Sequence, residues 1–210
     1  TFEGEKTMDW KIVQINKETD HKFLNFYTAT YEVEKEEGKK ETTYFFASRN
    51  LTIDKLRIYR KEYQKPDAVL IGSYLTCEGT PYLLLEKQFR PALNREVISY
   101  PAGLVDPGED LFDAARRELL EETGYHAKEV SLLVPPSPTS EGLSDECNAV
   151  VLAELESKGE ASLEEFEDIK AKLYSLSEVK AMLQDSSLLF SNSAYLLTLL
   201  LLERLQKKSQ

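Results

Sequence analysis

Between Gly103 and Tyr125 the chain reads GLVDPGEDLFDAARRELLEETGY. Three of its glutamates, Glu118, Glu121 and Glu122, fall within one and a half helical turns. On a 3.6-residue helix Glu118 and Glu122 share a face, and Glu121 sits one step around. Carboxylates this close repel one another unless cations lie among them. Hard divalent cations with oxygen ligands, Mg²⁺ foremost, suit such a cluster. Arg117 can reach Glu121 one turn on. Gly103 and Gly108 let the preceding loop fold tightly and bring backbone carbonyls toward a cation. An isolated E-x-x-E-E is most often a solvated helix face. Here it stands inside a longer spaced pattern: a glycine, Glu109 six residues later, then Arg117, the three glutamates and Gly124.

That whole pattern resembles the Nudix box, the loop–helix–loop signature of hydrolases acting on nucleoside diphosphates linked to another moiety. Every fixed Gly, Glu and Arg is present, and seven such positions at roughly 6% each recur by chance in about one window in 10⁸. Tyr125 stands where the family usually has an aliphatic residue. The resemblance implies Glu118 and Glu122 as main metal ligands, with the backbone carbonyl of Ala102 as a third. It implies Glu121 as a catalytic residue that is a further ligand or supports one. Glu109, Arg117 and Gly124 are expected to be structural. The implied cofactor is Mg²⁺, with Mn²⁺ as the other candidate.

Outside the box, Gln88-Phe89-Arg90-Pro91, Pro101-Ala102-Gly103 and the loop Ser140–Glu146 resemble the ADP-ribose pyrophosphatase branch, over roughly residues 20–205. The branch implies that Arg90 contacts the substrate's phosphates, a role suited to a planar guanidinium. Gly103, Leu104 and Glu146 are the other expected substrate contacts. The general base has two candidates. The acidic run Glu164 to Ile169 resembles the branch's base-bearing loop, which implies Glu165 as the favoured base and Glu167 as an additional metal ligand; Glu146 is the second. Two positions depart from the branch. Ser99 replaces an acid two residues before Pro101, and Glu141 replaces a proline within the Ser140 loop. The implied reaction is hydrolysis of ADP-ribose to AMP and ribose 5-phosphate. Other nucleotide sugars, dinucleotides or coenzyme A stay open, as does a non-catalytic sensor of ADP-ribose. A base-stacking platform is sought among Phe23, Phe26, Tyr27 and Tyr31.

Residues 9–16, 23–33 and 42–48, rich in β-branched and aromatic residues, read as a β meander turning at 34–41. Strands are expected at 67–77, 81–90, 97–100, 130–134, 149–155 and 170–174. A helix is expected over 110–123, with acid at its start and Gly124 just past its end. A short helix at 177–183 and a long one at 191–207 follow. The Pro/Ser/Gly-rich stretch 135–146 reads as a functional loop. The expected class is α/β: a Nudix α/β/α sandwich with a mixed sheet over 61–210, preceded by an antiparallel meander over 1–60 that helps form a homodimer.

Charge agrees with an anion-handling cation site. The chain of 210 residues carries a net charge of −11, which argues against coating nucleic acid or an anionic membrane. Residues 106–168 alone hold 18 acidic and 4 basic side chains. Cys77, Cys147, His21 and His126 do not supply a zinc site. Few cysteines and a polar N-terminal stretch suggest a cytoplasmic setting. The apolar run Tyr195–Leu202 is far shorter than the roughly 20 residues that span a bilayer.

Overall fold

A computed structural model describes residues 9–163, 165 and 167–208. The chain divides into two compact units: Thr1–Lys65 with Pro138–Cys147, and Pro66–Ser137 with Asn148–Gln210. This division differs from the expected 1–60 and 61–210 chiefly at Pro138–Cys147, which packs with the first unit.

In the first unit β1 (Trp10–Lys17), β2 (Asn25–Lys35) and β3 (Gly38–Ser48) form an antiparallel sheet in chain order. The hairpin is tighter than the expected turn at 34–41, because Lys35 pairs with Gly38, whose φ of 104° suits a residue without a Cβ. Tyr27 stacks on Phe46 with ring centroids 5.7 Å apart, and Ile15, Ala29 and Leu56 complete a small core. Helix α1 (Arg57–Arg60) follows. The segment 138–147 is tied to β3 by Ala47 N–H to Leu143 O at 2.8 Å and Asp145 N–H to Ala47 O at 3.3 Å.

The second unit is built on a mixed sheet. Its strands are β4 (Ala68–Cys77), β5 (Thr80–Arg90), β6 (Arg95–Ser99), β7 (Ala102–Leu104), β8 (Tyr125–Pro138), β9 (Cys147–Lys158) and β10 (Ile169–Ser175). The order is β10-β5-β4-β9-β8, with β6 on β5 and β7 on β4. Strands β4 and β9 pair in parallel, from Ala68 opposite Asn148 to Tyr74 opposite Glu154. Strand β8 runs on through Pro135 and Pro136, so the loop expected from 135 begins at Thr139.

Both faces of this sheet are covered. Val69 and Ile71 of β4, Leu84 of β5 and Val151 and Ala153 of β9 pack with Ala114, Ala115 and Leu119 of α2 (Leu111–Thr123). Leu70, Leu83, Leu85 and Leu152, one residue out of phase, pack with Val179 of α3 (Leu176–Gln184) and Leu197, Leu201 and Leu205 of α4 (Asn192–Lys208). A strand buried on both faces must be apolar at every position, which is why β4 opens as an unbroken apolar run. The period of 2 along β5 thus sends even-numbered residues toward α2 and odd-numbered ones toward α4.

Candidate active site

Helix α2 is set by its ends. Asp110 caps the first turn, its Oδ1 accepting from Phe112 N–H at 2.8 Å. Gly124 closes the last turn at φ 73°, and its N–H donates to Leu120 O at 2.8 Å. A Cβ at this glycine would lie 2.7 Å from Gly159 O. The helix buries Ala115 and Leu119 against the sheet. Glu122 continues that stripe one turn on, so it is only 6% exposed.

Arg117 organises the loop before the helix. Its Nε and Nη2 donate to the two oxygens of Glu109, each at 2.9 Å. Nη2 also donates to Leu104 O at 3.0 Å, and Nη1 to Glu118 at 2.8 Å and Glu121 at 3.2 Å. The expected reach to Glu121 is there, but the fork on Glu109 is the closer pairing. That fork holds the Glu109 carboxyl down to about 2, with help from Asp106 N–H.

The other expected site residues of this unit lie as follows. Ala102 begins β7 opposite Leu70, and its N–H donates to Glu122 Oε2 at 3.0 Å. Gly103 is a close approach: a Cβ there would sit 1.9 Å from the Glu118 carboxyl carbon. Leu104 is half exposed. Arg90 is exposed at the end of β5. Glu165 is exposed in the turn between β9 and β10, and Glu167 is partly buried nearby; Glu164 and Phe166 of the expected acidic run lie outside the described residues.

One carboxylate in this unit was not foreseen. Glu86 lies two residues beyond Leu84, on the face that α2 covers, and opposite Ser99 in the β5–β6 register. It is 1% exposed. The charges of Glu86, Glu118, Glu122 and Glu167 act on one another. Burial is the main force raising the Glu122 and Glu86 carboxyls far above the ordinary carboxylate range. The negative charges of Glu86, Glu118 and Glu167 add to it at Glu122, and that of Glu167 at Glu86. Burial likewise raises Glu118, against the pull of Arg117. Arg90 attracts Glu86. A signal for Glu86 was present: an ionisable residue at a core-facing position of an apolar strand.

Among the described residues no three His, Cys, Asp or Glu side chains form a ready-made metal cage. The donor chemistry nevertheless fits a hard divalent cation. The available ligands are carboxylate oxygens beside the β7 backbone, and Glu86 Oε2 is buried without a hydrogen-bond partner among the described residues. Glu118 pairs with Arg117 at 2.8 Å.

Glu146 belongs to the first unit. It accepts from Arg49 Nε at 2.9 Å and from Thr139 Oγ1 at 3.2 Å. The same unit holds a hollow of about 230 Å³ lined by Tyr31, Tyr44, Phe46, Tyr63, Arg57 and Asp145, among others. Of the aromatic candidates for stacking, Tyr31 reaches this hollow and Phe23 and Phe26 are exposed. Tyr27 is fully buried in the core, its hydroxyl bonded to Asn50 O at 2.6 Å.

A capped helix and its preceding loop, laid against a mixed sheet and presenting clustered carboxylates, define a loop–helix–loop domain of the α/β/α kind. The NUDIX domain model matches residues 65–191, and the chain belongs to that family. It is 51% identical over 63 residues to the ADP-ribose pyrophosphatase of Saccharomyces cerevisiae, covering 30% of this chain and 26% of that protein. It is 39% identical over 114 residues to the ADP-ribose pyrophosphatase of Bacillus subtilis, covering 52% and 60%. The matched stretches thus span less than two thirds of these relatives. A crystal structure of an ADP compounds hydrolase shares the fold, with a TM-score of 0.67 at 16% identity over 97% of both chains. Among the described residues no helix is long and apolar enough to cross a membrane.

Proposed function

We propose that the chain is a pyrophosphohydrolase of the ADP-ribose pyrophosphatase type, cleaving the diphosphate of a nucleoside diphosphate sugar with Mg²⁺ or Mn²⁺. The observation that carries this reading is the buried Glu122 beside Glu86 and the Ala102 N–H. Burying that much mutually repelling charge is costly without a cation. Two relatives bearing the name ADP-ribose pyrophosphatase support ADP-ribose as first substrate.

Glu118, Glu122, Glu167 and the Ala102 carbonyl would hold the cation, with Glu121 as support. When bound, it neutralises charge on the diphosphate and acidifies the attacking water. Arg90 would hold a phosphate through its planar fork. Gly103 and Leu104 line the approach, with Glu146 as a further substrate contact. Glu165 takes the water's proton as oxygen attacks one phosphorus and the bond to the bridging oxygen breaks. The products are AMP and ribose 5-phosphate. Exposed Phe26 and Phe45, stacked at 6.3 Å on the meander, support a homodimer, which sedimentation velocity tests. A second reading, hydrolysis of another nucleoside diphosphate derivative (a different nucleotide sugar, a dinucleotide or coenzyme A), is favoured by Ser99 and Glu141 where the branch has an acid and a proline.

The test is a panel with Mg²⁺: ADP-ribose, ADP-glucose, UDP-glucose, NADH, diadenosine polyphosphates and coenzyme A, with products resolved by chromatography. ADP-ribose should give the highest kcat/KM. Failure to cleave any of the six refutes the reading. Glu165→Gln should lower kcat more than Glu146→Gln does; the reverse order moves the base to Glu146.

A further inference from the structure

The carboxylate of Glu86 has no place in the reaction as proposed, yet it is all but fully buried. Leu83, Leu84 and Leu85 precede it as fully buried core residues. Alternation puts it on the α2 side of the sheet, the side that carries Glu122. Across the strand pair Ser99 offers only a hydroxyl, and Oε2 of Glu86 is buried with no hydrogen-bond partner among the described residues. A buried carboxylate oxygen without a donor is destabilising, and a leucine would fill the position without that cost. Its charged neighbours act both ways: Glu122 and Glu167 repel it, and Arg90 attracts it from the exposed strand end. What Oε2 lacks is a bonding partner, on the side of the sheet where Glu122 also lies.

We infer that Glu86 is a further carboxylate of the divalent-cation site, contributing Oε2 alongside Glu122. The inference rests on the box being a cation site, as proposed above. In this role the orphaned oxygen has a partner whenever the site is loaded. Ser99 need not carry an acid, because the carboxylate on that face comes from the adjoining strand.

The experiment uses the full chain without nucleotide and Mn²⁺ alone as probe, with free Mn²⁺ read by electron paramagnetic resonance. Circular dichroism checks the fold. Glu86→Gln, close in shape and neutral, should fold as the parent does and weaken Mn²⁺ binding at least tenfold, the scale on which residues around a metal act. The rise in thermal midpoint on adding Mg²⁺ should shrink in parallel. A Kd for Mn²⁺ within twofold of wild type overturns the inference. Should the amide fail to fold, Glu86→Met, apolar and of similar length, is read by the same criteria. Glu122→Gln separates the two levels of the claim. If it weakens Mn²⁺ binding and Glu86→Gln does not, only the role of Glu86 falls. If wild type binds no Mn²⁺, or Glu122→Gln binds as wild type does, the cation site itself falls and the role of Glu86 with it.

Discussion

Gly103→Ala separates the integrity of the site from that of the fold. The added Cβ would stand 1.9 Å from the Glu118 carboxyl carbon and 2.1 and 2.2 Å from its oxygens, where ordinary contact begins at 3.4 Å. The carboxylate must therefore retreat by about 1.5 Å. Gly103 does not need a positive φ, so alanine suits the backbone, and the obstacle is the tip of a flexible side chain. Moving that tip forfeits the partly exposed pair with Arg117 at 2.8 Å, worth about 0–1 kcal/mol. An off-rotamer glutamate costs about 0.5–1.5 kcal/mol more. Against this, alanine for glycine in a compatible conformation gains about 0.4–1 kcal/mol. The net change is about 1 kcal/mol, and the thermal midpoint should move by no more than about 4 °C in a chain of this size. Function is far less tolerant, because a displacement of about 1 Å in a reacting group can cost a factor of about 100. Calorimetry without metal, paired with turnover of ADP-ribose at saturating Mg²⁺, reads both quantities. Turnover within threefold of wild type would refute Glu118 as a precisely held ligand. A loss of fold would refute the claim that Gly103 serves the site alone.

Gly124→Ala should do the opposite: a left-handed alanine costs about 1–2 kcal/mol, and its Cβ meets backbone, Gly159 O at 2.7 Å and Ala161 N at 3.0 Å. Its midpoint should fall well below that of Gly103→Ala, and equal midpoints contradict the packing described. The metal-free protein should lose stability as pH rises. Glu86 and Glu122 are raised to about 7 and about 9, so above the ordinary value of 4.5 the unfolded chain releases protons that the folded chain retains. The loss approaches 1.4 kcal/mol per pH unit for each such proton, and midpoints in EDTA between pH 5 and 9 that are flat or rising would exclude it. Glu109 works in reverse: lowered to about 2, it stabilises the fold above 4.5, and that contribution fades as pH drops toward 2. Glu118→Gln and Glu122→Gln should each cut turnover by about 100-fold or more while leaving metal-free stability equal or higher, since a repelling cluster loses a charge; a lower midpoint in both would show the cluster to be structural.

How far the chain could be read from its residues depended on how local each signal was. Helix α2 was legible to within a residue, because Asp110, the stripe Ala114, Ala115 and Leu119, and Gly124 specify start, face and end inside fifteen positions. Strands β4 and β5 were legible because burial on two faces demands unbroken apolar runs. The parallel pairing of β4 with β9 and the pairing of β7 with β4 were not, since partners about 80 and 34 residues apart leave no mark on either segment. Membership of 138–147 in the first unit was hidden for the same reason. The stretch reads as a loop by composition, and its bonds to Ala47, Tyr44 and Arg49 reveal its partner. Glu86 is different, because its signal is local. Leu84 and Glu86 share a face by alternation alone, and the three preceding leucines mark that face as core. An acid at such a position breaks the rule that patterns the strand. Under the reading proposed above, a bound cation would offset that charge, and the irregularity in Leu-Leu-Leu-Glu would then mark the site in the sequence alongside the glutamates of α2.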